Sequence, residues 1–157
     1  MWQFSNDIGD AGEDWREAAP LRRLDAPIGD EKTRVDLIRQ QISGAPAYAG
    51  GSTGLYESVP AAYRLATREY NPAYVNSVAV FSGGVNNTGS LTLTELVSEL
   101  ESLHDPDRPV LLVMIGIGGG ADRAALTQMA AATDGRVFEA NTPDGLLTVL
   151  AQSLLSR

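Results

Sequence analysis

An open α/β fold with a mostly parallel, doubly wound sheet is the architecture this sequence predicts, and three observations predict it. The runs 75–81 (Val-Asn-Ser-Val-Ala-Val-Phe) and 109–117 (Pro-Val-Leu-Leu-Val-Met-Ile-Gly-Ile) are nearly continuous in apolar character, as strands buried on both faces are. Each run is closed by glycines and followed by residues at helical spacing. The alternation of strand and helix then repeats to the C-terminus, the pattern of parallel strands joined by crossover helices.

In chain order, Trp2 to Ser5 is a short strand that breaks into the turn-formers 6–12, and a weak second strand is expected around Glu17 to Leu24. From Asp30 the period becomes helical: Asp30 can cap, Val35, Ile38 and Ile42 share a face, and Gly44 can end the helix. After a small, Gly-rich stretch from Ala45 to Gly54, the residues Leu55, Val59, Ala62, Tyr63 and Ala66 mark a second helix ending near Asn71-Pro72. Pro60 lies inside it and is expected to delay its start to Ser58 or to kink it. The 75–81 strand reads as central.

Thr92 and Glu95 have capping-box spacing ahead of Leu93, Leu96, Val97, Leu100 and Leu103. The 109–117 strand leads through Gly118-Gly119-Gly120 into a helix from about Asp122 to Thr133, with Gly135 as its stop. Arg136 to Ala140 is a short strand. Thr142-Pro143-Asp144 then supplies a cap, a first-turn proline and an acidic first turn for a final helix bearing Leu146, Leu147, Leu150 and Leu154. There is no internal repeat and no linker, so residues 1–157 read as a single domain.

Composition narrows the function. Twelve Lys and Arg against twenty Asp and Glu give a formal charge of −8, which repels phosphate backbones and anionic lipid surfaces. Nucleic acid is therefore an unfavourable partner. The absence of Cys removes disulfides, thiolate metal sites and thiol nucleophiles without fixing a compartment. No apolar run approaches the ~20 residues that span a bilayer, so membrane insertion is not expected, and localisation stays unassigned.

Residues 50–57 (Gly-Gly-Ser-Thr-Gly-Leu-Tyr-Glu), followed by Ala61-Ala62-Tyr63-Arg64, resemble the second metal-site loop and helix of von Willebrand factor A (VWA) domains. Thr53 is the counterpart of that loop's threonine. Residues 75–84 resemble the strand that the family ends in Thr-Asp-Gly, Val110 to Gly118 its Ile-Gly-Ile-Gly strand, and residues 130–138 its helix-to-strand turn. The resemblance covers nearly the whole chain and is to the VWA halves at the C-terminus of bacterial solute-binding-like surface proteins in particular. It implies an extracytoplasmic setting and a Rossmann-like sheet that here lacks the family's first strand and first helix.

Two departures shape the functional expectation. The family's adhesion site holds a hard cation with Asp-x-Ser-x-Ser, a threonine and an aspartate, and Mg²⁺ demands near-octahedral oxygen ligation. No Asp-x-Ser-x-Ser occurs in this sequence, and Gly83 stands where the third-loop aspartate would. Thr53 alone supplies neither the charge nor the ligand number, so no metal and no cofactor are expected. In the family the absent strand lies between the counterparts of Trp2–Ser5 and 75–81. Either those strands pair directly, or another segment supplies a strand between them.

Other chemistry-bearing patterns have plainer readings. Residues 116–121 fit Gly-x-Gly-x-x-Gly/Ala with Glu139 beyond them, the best enzyme-like signal, which would make a dinucleotide-binding oxidoreductase fragment. The motif falls late in the chain, where glycines serve a tight turn equally well. His104, beside Glu101, Asp105 and Asp107, is expected at the surface on a helix end. Asp7, Asp10, Glu13 and Asp14 are expected to form a solvated loop. The resulting expectation is a non-catalytic, metal-independent protein-interaction module with an unidentified protein partner. Its binding loops would be Ser52, Thr53 and Gly54, then Ser82, Gly83, Gly84, Asn86 and Asn87, with 118–121 beside them. A truncated gene product without independent function is the further alternative.

Overall fold

The computed structural model describes residues 1–29, 31–44 and 53–140. The chain is a mixed α/β protein whose centre is a three-stranded parallel sheet in the order β5-β6-β7. Its strands are β5 (Asn76–Ser82), β6 (Val110–Ile117) and β7 (Arg136–Ala140). Before them come two antiparallel hairpins, β1 (Trp2–Phe4) with β2 (Trp15–Glu17) and β3 (Pro27–Gly29) with β4 (Lys32–Thr33). The helices are α1 (Arg34–Ser43), α2 (Leu55–Arg68), α3 (Leu93–Leu103) and α4 (Arg123–Ala131).

The core follows from the alternation of side chains along β6. Val110, Leu112 and Met114 point to one face, where Leu55, Val59 and Tyr63 of α2, Leu96 and Leu100 of α3, and Leu126 and Met129 of α4 bury them. Val113 and Ile115 point to the other, with Ala140, Phe81 and Phe138 around them. One hydrogen bond crosses the main core, from the Tyr63 hydroxyl to the Val110 carbonyl at 2.9 Å, which satisfies a phenol buried to 1% exposure. Gly135 passes so close to β6 that a Cβ there would lie 2.0 Å from the Leu112 carbonyl oxygen. Its role as helix stop is therefore also a packing requirement.

Several elements match the sequence reading. Thr92 and Glu95 form the capping box of α3, with Glu95 N–H donating to Thr92 Oγ1 and Thr92 N–H donating to the Glu95 carboxylate. The β6 and β7 strands, the start of α3 and the 118–120 turn lie where the pattern placed them. Pro60 neither delays nor breaks α2, which runs continuously from Leu55 with Pro60 buried inside it. Its ring removes one backbone bond near the helix start, and burial of the Leu55, Val59 and Tyr63 face compensates.

Other expectations need correction. Among the described residues α2, α3 and α4 share one sheet face, while the other face is also buried at Val113, Ile115 and Ala140 and the helix expected from Pro143 lies outside the described residues. The second strand is Trp15–Glu17 rather than 17–24, since it pairs Trp15 with Phe4 and stacks the Trp15 ring on Trp2 at 4.0 Å. The first helix is capped by Thr33 and Asp36, and the residues before it form the β3–β4 hairpin. Asp30 lies outside the described residues. Ile42, expected on the buried face of α1, is 63% exposed; among the described residues α1 packs mainly on β3 and β4. Finally, among the described residues β5 pairs with β6 alone, and Ser77 and Ala79 are exposed. The final helix expected from Pro143 lies outside the described residues.

Candidate functional site

Parallel strands end together, so the turns leaving β5 and β6 meet at the C-terminal edge of the sheet. Ser82 and Gly116 are register partners, and the chain leaves both within two residues. Gly83 then lies against the β6 turn: a Cβ on it would be 3.5 Å from the Ile117 carbonyl, and one on Gly120 would be 2.6 Å from the Gly83 carbonyl. Side chains larger than hydrogen at 120 would push these turns apart.

The third contributor is the segment entering α2. Asn87 accepts from the Thr53 amide through Oδ1, and the Asn87 amide donates to the Thr53 carbonyl at 3.4 Å. Asn86 Oδ1 accepts from the Tyr56 amide at 3.0 Å, which satisfies one of the free N–H groups in the first turn of α2. Asn86 Nδ2 in turn donates to the Thr88 carbonyl at 2.9 Å. Gly84 sits so that a Cβ would be 3.3 Å from Thr53 Oγ1. The two asparagines thus tie the β5 loop to the start of a helix far away in sequence.

Of the expected binding residues, Thr53, Gly54, Ser82, Gly83, Gly84, Asn86 and Asn87 are brought together with the 117–121 turn, and Ser52 lies outside the described residues. Their roles differ from one another. Ser82 is buried at 3% exposure and donates to the Gly84 carbonyl, so it shapes the turn from within. Gly54 is packed against Asp14, where a Cβ would fall 2.3 Å from the Asp14 Cβ. Among the described residues no three His, Asp or Glu side chains come together as a metal site would need.

Two groups of residues were misread or missed in the sequence. Asp14 is not part of a solvated loop: it is 8% exposed, accepts from the Asp7 amide at 3.0 Å and from Thr88 Oγ1 at 3.1 Å, and its carbonyl accepts from Ser58 Oγ at 3.2 Å. It joins the β1–β2 hairpin to α2 and the β5 loop. No spacing signal marks that role, since Asp14 and Thr88 are 74 positions apart. The missed surface residues are Val85, in the loop after β5, and Ile117, the last residue of β6, 52% and 39% exposed. An apolar residue following a strand and its glycines reads, in sequence, simply as the strand's end.

His104 is also placed differently from expectation. Its side chain is only 18% exposed, and its partner is Asp134, 3.3 Å from Nε2, rather than the neighbouring acids. The left-handed backbone of Asp134 (φ 52°), in the turn after α4, carries that carboxylate towards α3.

The glycine turn at 116–121 opens a small cleft of about 160 Å³, lined by Gly116, Gly118, Ala121, Arg123, Leu126 and Glu139 among others. Pockets that hold drug-sized ligands are about 300–1,000 Å³, and a dinucleotide needs the upper part of that range. Asp122 caps α4 by accepting from the Ala125 amide at 3.0 Å, which puts a carboxylate where a pyrophosphate would have to sit. Glu139, the residue a ribose would need, lies 3.2 Å from Arg123 in an ion pair. The geometry gives the dinucleotide alternative little support.

No protein-family profile matches the chain, and no curated protein sequence matches it. Among solved structures, it is similar to a crystal structure described as that of an uncharacterized membrane spanning protein from Vibrio fischeri. The identity is 20% and the TM-score 0.44, over 67% of this chain and 57% of that one. The chain thus spans little more than half the length of that neighbour, and nothing about activity follows from the likeness. No helix among the described residues is long and apolar enough to cross a membrane.

Proposed function

We propose that this chain is a VWA-like protein-interaction module that binds a protein partner, without a metal ion and without catalysis, through the loops at the C-terminal ends of β5 and β6. The observation that carries the reading is the exposure of two apolar side chains, Val85 in the loop after β5 and Ile117 at the end of β6. They lie where the loop after β5, held by the Asn86 and Asn87 hydrogen bonds, and the end of β6 come together at Gly83 and Gly120. Exposed apolar side chains on loops tied down by hydrogen bonds suit an interface centre, since less ordering entropy remains to be lost on binding. Thr53 serves this reading as part of the scaffold, its backbone engaged with Asn87.

The test is photo-crosslinking from position 85. A photoreactive residue replacing Val85 is expected to yield one dominant protein adduct in an extract of the source cells, and Ile117→Asp is expected to abolish it while leaving the unfolding midpoint unchanged. Adducts that are heterogeneous and insensitive to Ile117→Asp would end the proposal.

A further inference from the structure

The turn that leads from α2 into β5 is clasped by two asparagines. The Asn71 amide donates to Asn76 Oδ1 at 3.1 Å, and Asn76 Nδ2 donates to the carbonyls of Asn71 at 2.9 Å and Tyr74 at 3.0 Å. Asn71 Oδ1 accepts from the Ala73 amide at 2.9 Å, and the Asn71 carbonyl also accepts from the Tyr74 amide at 3.1 Å. Asparagine side chains that bond nearby backbone stabilise a turn, and Pro72 fixes one further backbone angle inside it. What this ordered turn presents is apolar and outward: Tyr74 is 70% exposed and Val75 48%.

The neighbouring strand brings an arginine to the same place. β5 and β6 are parallel and begin in register at Asn76↔Val110, so the residues leading into them, Tyr74 and Val75 on one and Arg108 on the other, enter the sheet side by side. The exposed Arg108 guanidinium lies over the Tyr70 ring, 5.5 Å from its centre, and Nη2 donates to the Thr67 carbonyl at 2.7 Å. Tyr70 in turn packs against the main core, so the guanidinium rests on a fixed ring. The acids that precede Arg108 are engaged in its own turn: the Asp105 carboxylate accepts from the Asp107 amide, and the Asp105 carbonyl from the Arg108 amide, both at 3.0 Å.

Tyrosine and arginine are the residue types in which interface energy concentrates, and here both are ordered before any partner arrives. A guanidinium carries its N–H donors in a planar fork that matches a carboxylate, and the Thr67 bond leaves the rest of the fork to meet one. We propose that the 71–75 turn and Arg108 dock a segment of another protein that sets a Glu or Asp against the guanidinium and an aliphatic side chain against Tyr74 and Val75. Charge makes the choice a selective one: with a net charge of −8, the chain as a whole repels an acidic segment, which therefore needs a local cation to receive it. This rests on the reading of the chain as a protein-interaction module. The surface is at the opposite end of β5 from Val85, so the two can fail separately.

The probe is a fluorescein-labelled peptide, Ser-Gly-Leu-Glu-Glu-Leu-Gly-Ser, with counterparts in which both glutamates are glutamine or lysine. Added to the full chain, the glutamate peptide is expected to bind at least about tenfold more tightly than either counterpart. That preference runs against the net charge, so non-specific attraction does not produce it. Arg108→Gln is expected to remove the preference. Tyr74→Ser is expected to weaken the glutamate peptide about tenfold, and Tyr74→Phe to keep most of its affinity. Hydrogen exchange on the unaltered chain is expected to slow within 73–76 and at 108 when the peptide binds. Circular dichroism establishes that each variant is folded; should Arg108→Gln loosen Tyr70, Tyr74→Ser carries the test, because its side chain is exposed. Equal binding of the three peptides, tighter binding of the lysine peptide, or no binding at millimolar peptide would overturn the proposal. So would unchanged binding by Tyr74→Ser, protection confined to 83–88 and 117–121, an outcome that leaves the loop surface standing, or a stable dimer whose contact already covers Tyr74.

Discussion

Replacing Asp14 by Ala tests how the β1–β2 hairpin is held to the rest of the molecule. The carboxylate accepts from the Asp7 amide at 3.0 Å and from Thr88 Oγ1 at 3.1 Å, with the residue 8% exposed. Hydrogen bonds to a charged group contribute about 1.5–3 kcal/mol each, and a donor left buried without a partner costs about 1–3 kcal/mol. The two bonds share one carboxylate and are not additive, so about 3 kcal/mol is the expected loss for Asp14→Ala. Asp14→Asn retains one acceptor oxygen and is expected to lose about half as much. Urea unfolding followed by far-ultraviolet circular dichroism measures both. The Trp2 and Trp15 rings, stacked at 4.0 Å, give a separate signal from the hairpin itself. That signal is expected to survive in the Ala variant before denaturation, because the tryptophan stack does not depend on the Asp14 carboxylate. A double-mutant cycle with Thr88→Val isolates the hairpin-to-loop bond and is expected to show coupling of about 1–2 kcal/mol. A loss below about 0.5 kcal/mol for Asp14→Ala, within the range of ordinary surface substitutions, would refute the reasoning.

Four other outcomes are expected. Tyr63→Phe leaves the Val110 carbonyl without its 2.9 Å partner inside the core and should lower stability by about 1–2 kcal/mol in the same urea assay. Gly135→Ala would force a Cβ to within 2.0 Å of the Leu112 carbonyl oxygen, so the turn after α4 must move away from β6. It should destabilise more than Tyr63→Phe and speed exchange of the β7 amides. Thr92→Ala removes the side-chain acceptor of the α3 cap and should cost about 1 kcal/mol. The Glu95 carboxyl is held below its ordinary value by the Thr92 hydroxyl and then by the Thr92 amide. A group whose folded value is depressed contributes stability above its unfolded pKa and loses it as pH falls through the folded one. Acid unfolding curves of Glu95→Gln should therefore be flatter than those of the parent below the ordinary glutamate range, and identical acid slopes would count against the cap.

What could be read without the structure was whatever depends on neighbours in sequence. The runs that became β6 and β7, the capping box at Thr92 and the glycine turn at 118–120 are local patterns, and local backbone preference decides them. The meeting of the loop after β5 with the 117–121 turn was also legible, because parallel strands release their loops at the same end, whereas Thr53 joins them through Asn87, 34 positions away. The tertiary structure decided what depends on distant partners. A continuous apolar pattern says that a strand can be buried on both faces, but Ser77 and Ala79 are exposed, on the sheet face opposite α2, α3 and α4. Ile42 carries the spacing of a buried helix face, yet it is 63% exposed, and among the described residues α1 packs mainly on the β3–β4 hairpin. Asp14 looked like one acid in a polar loop until Thr88 was placed beside it. Periodicity specifies which side of an element is apolar, whereas burial and hydrogen bonding depend on which remote surface arrives to meet it.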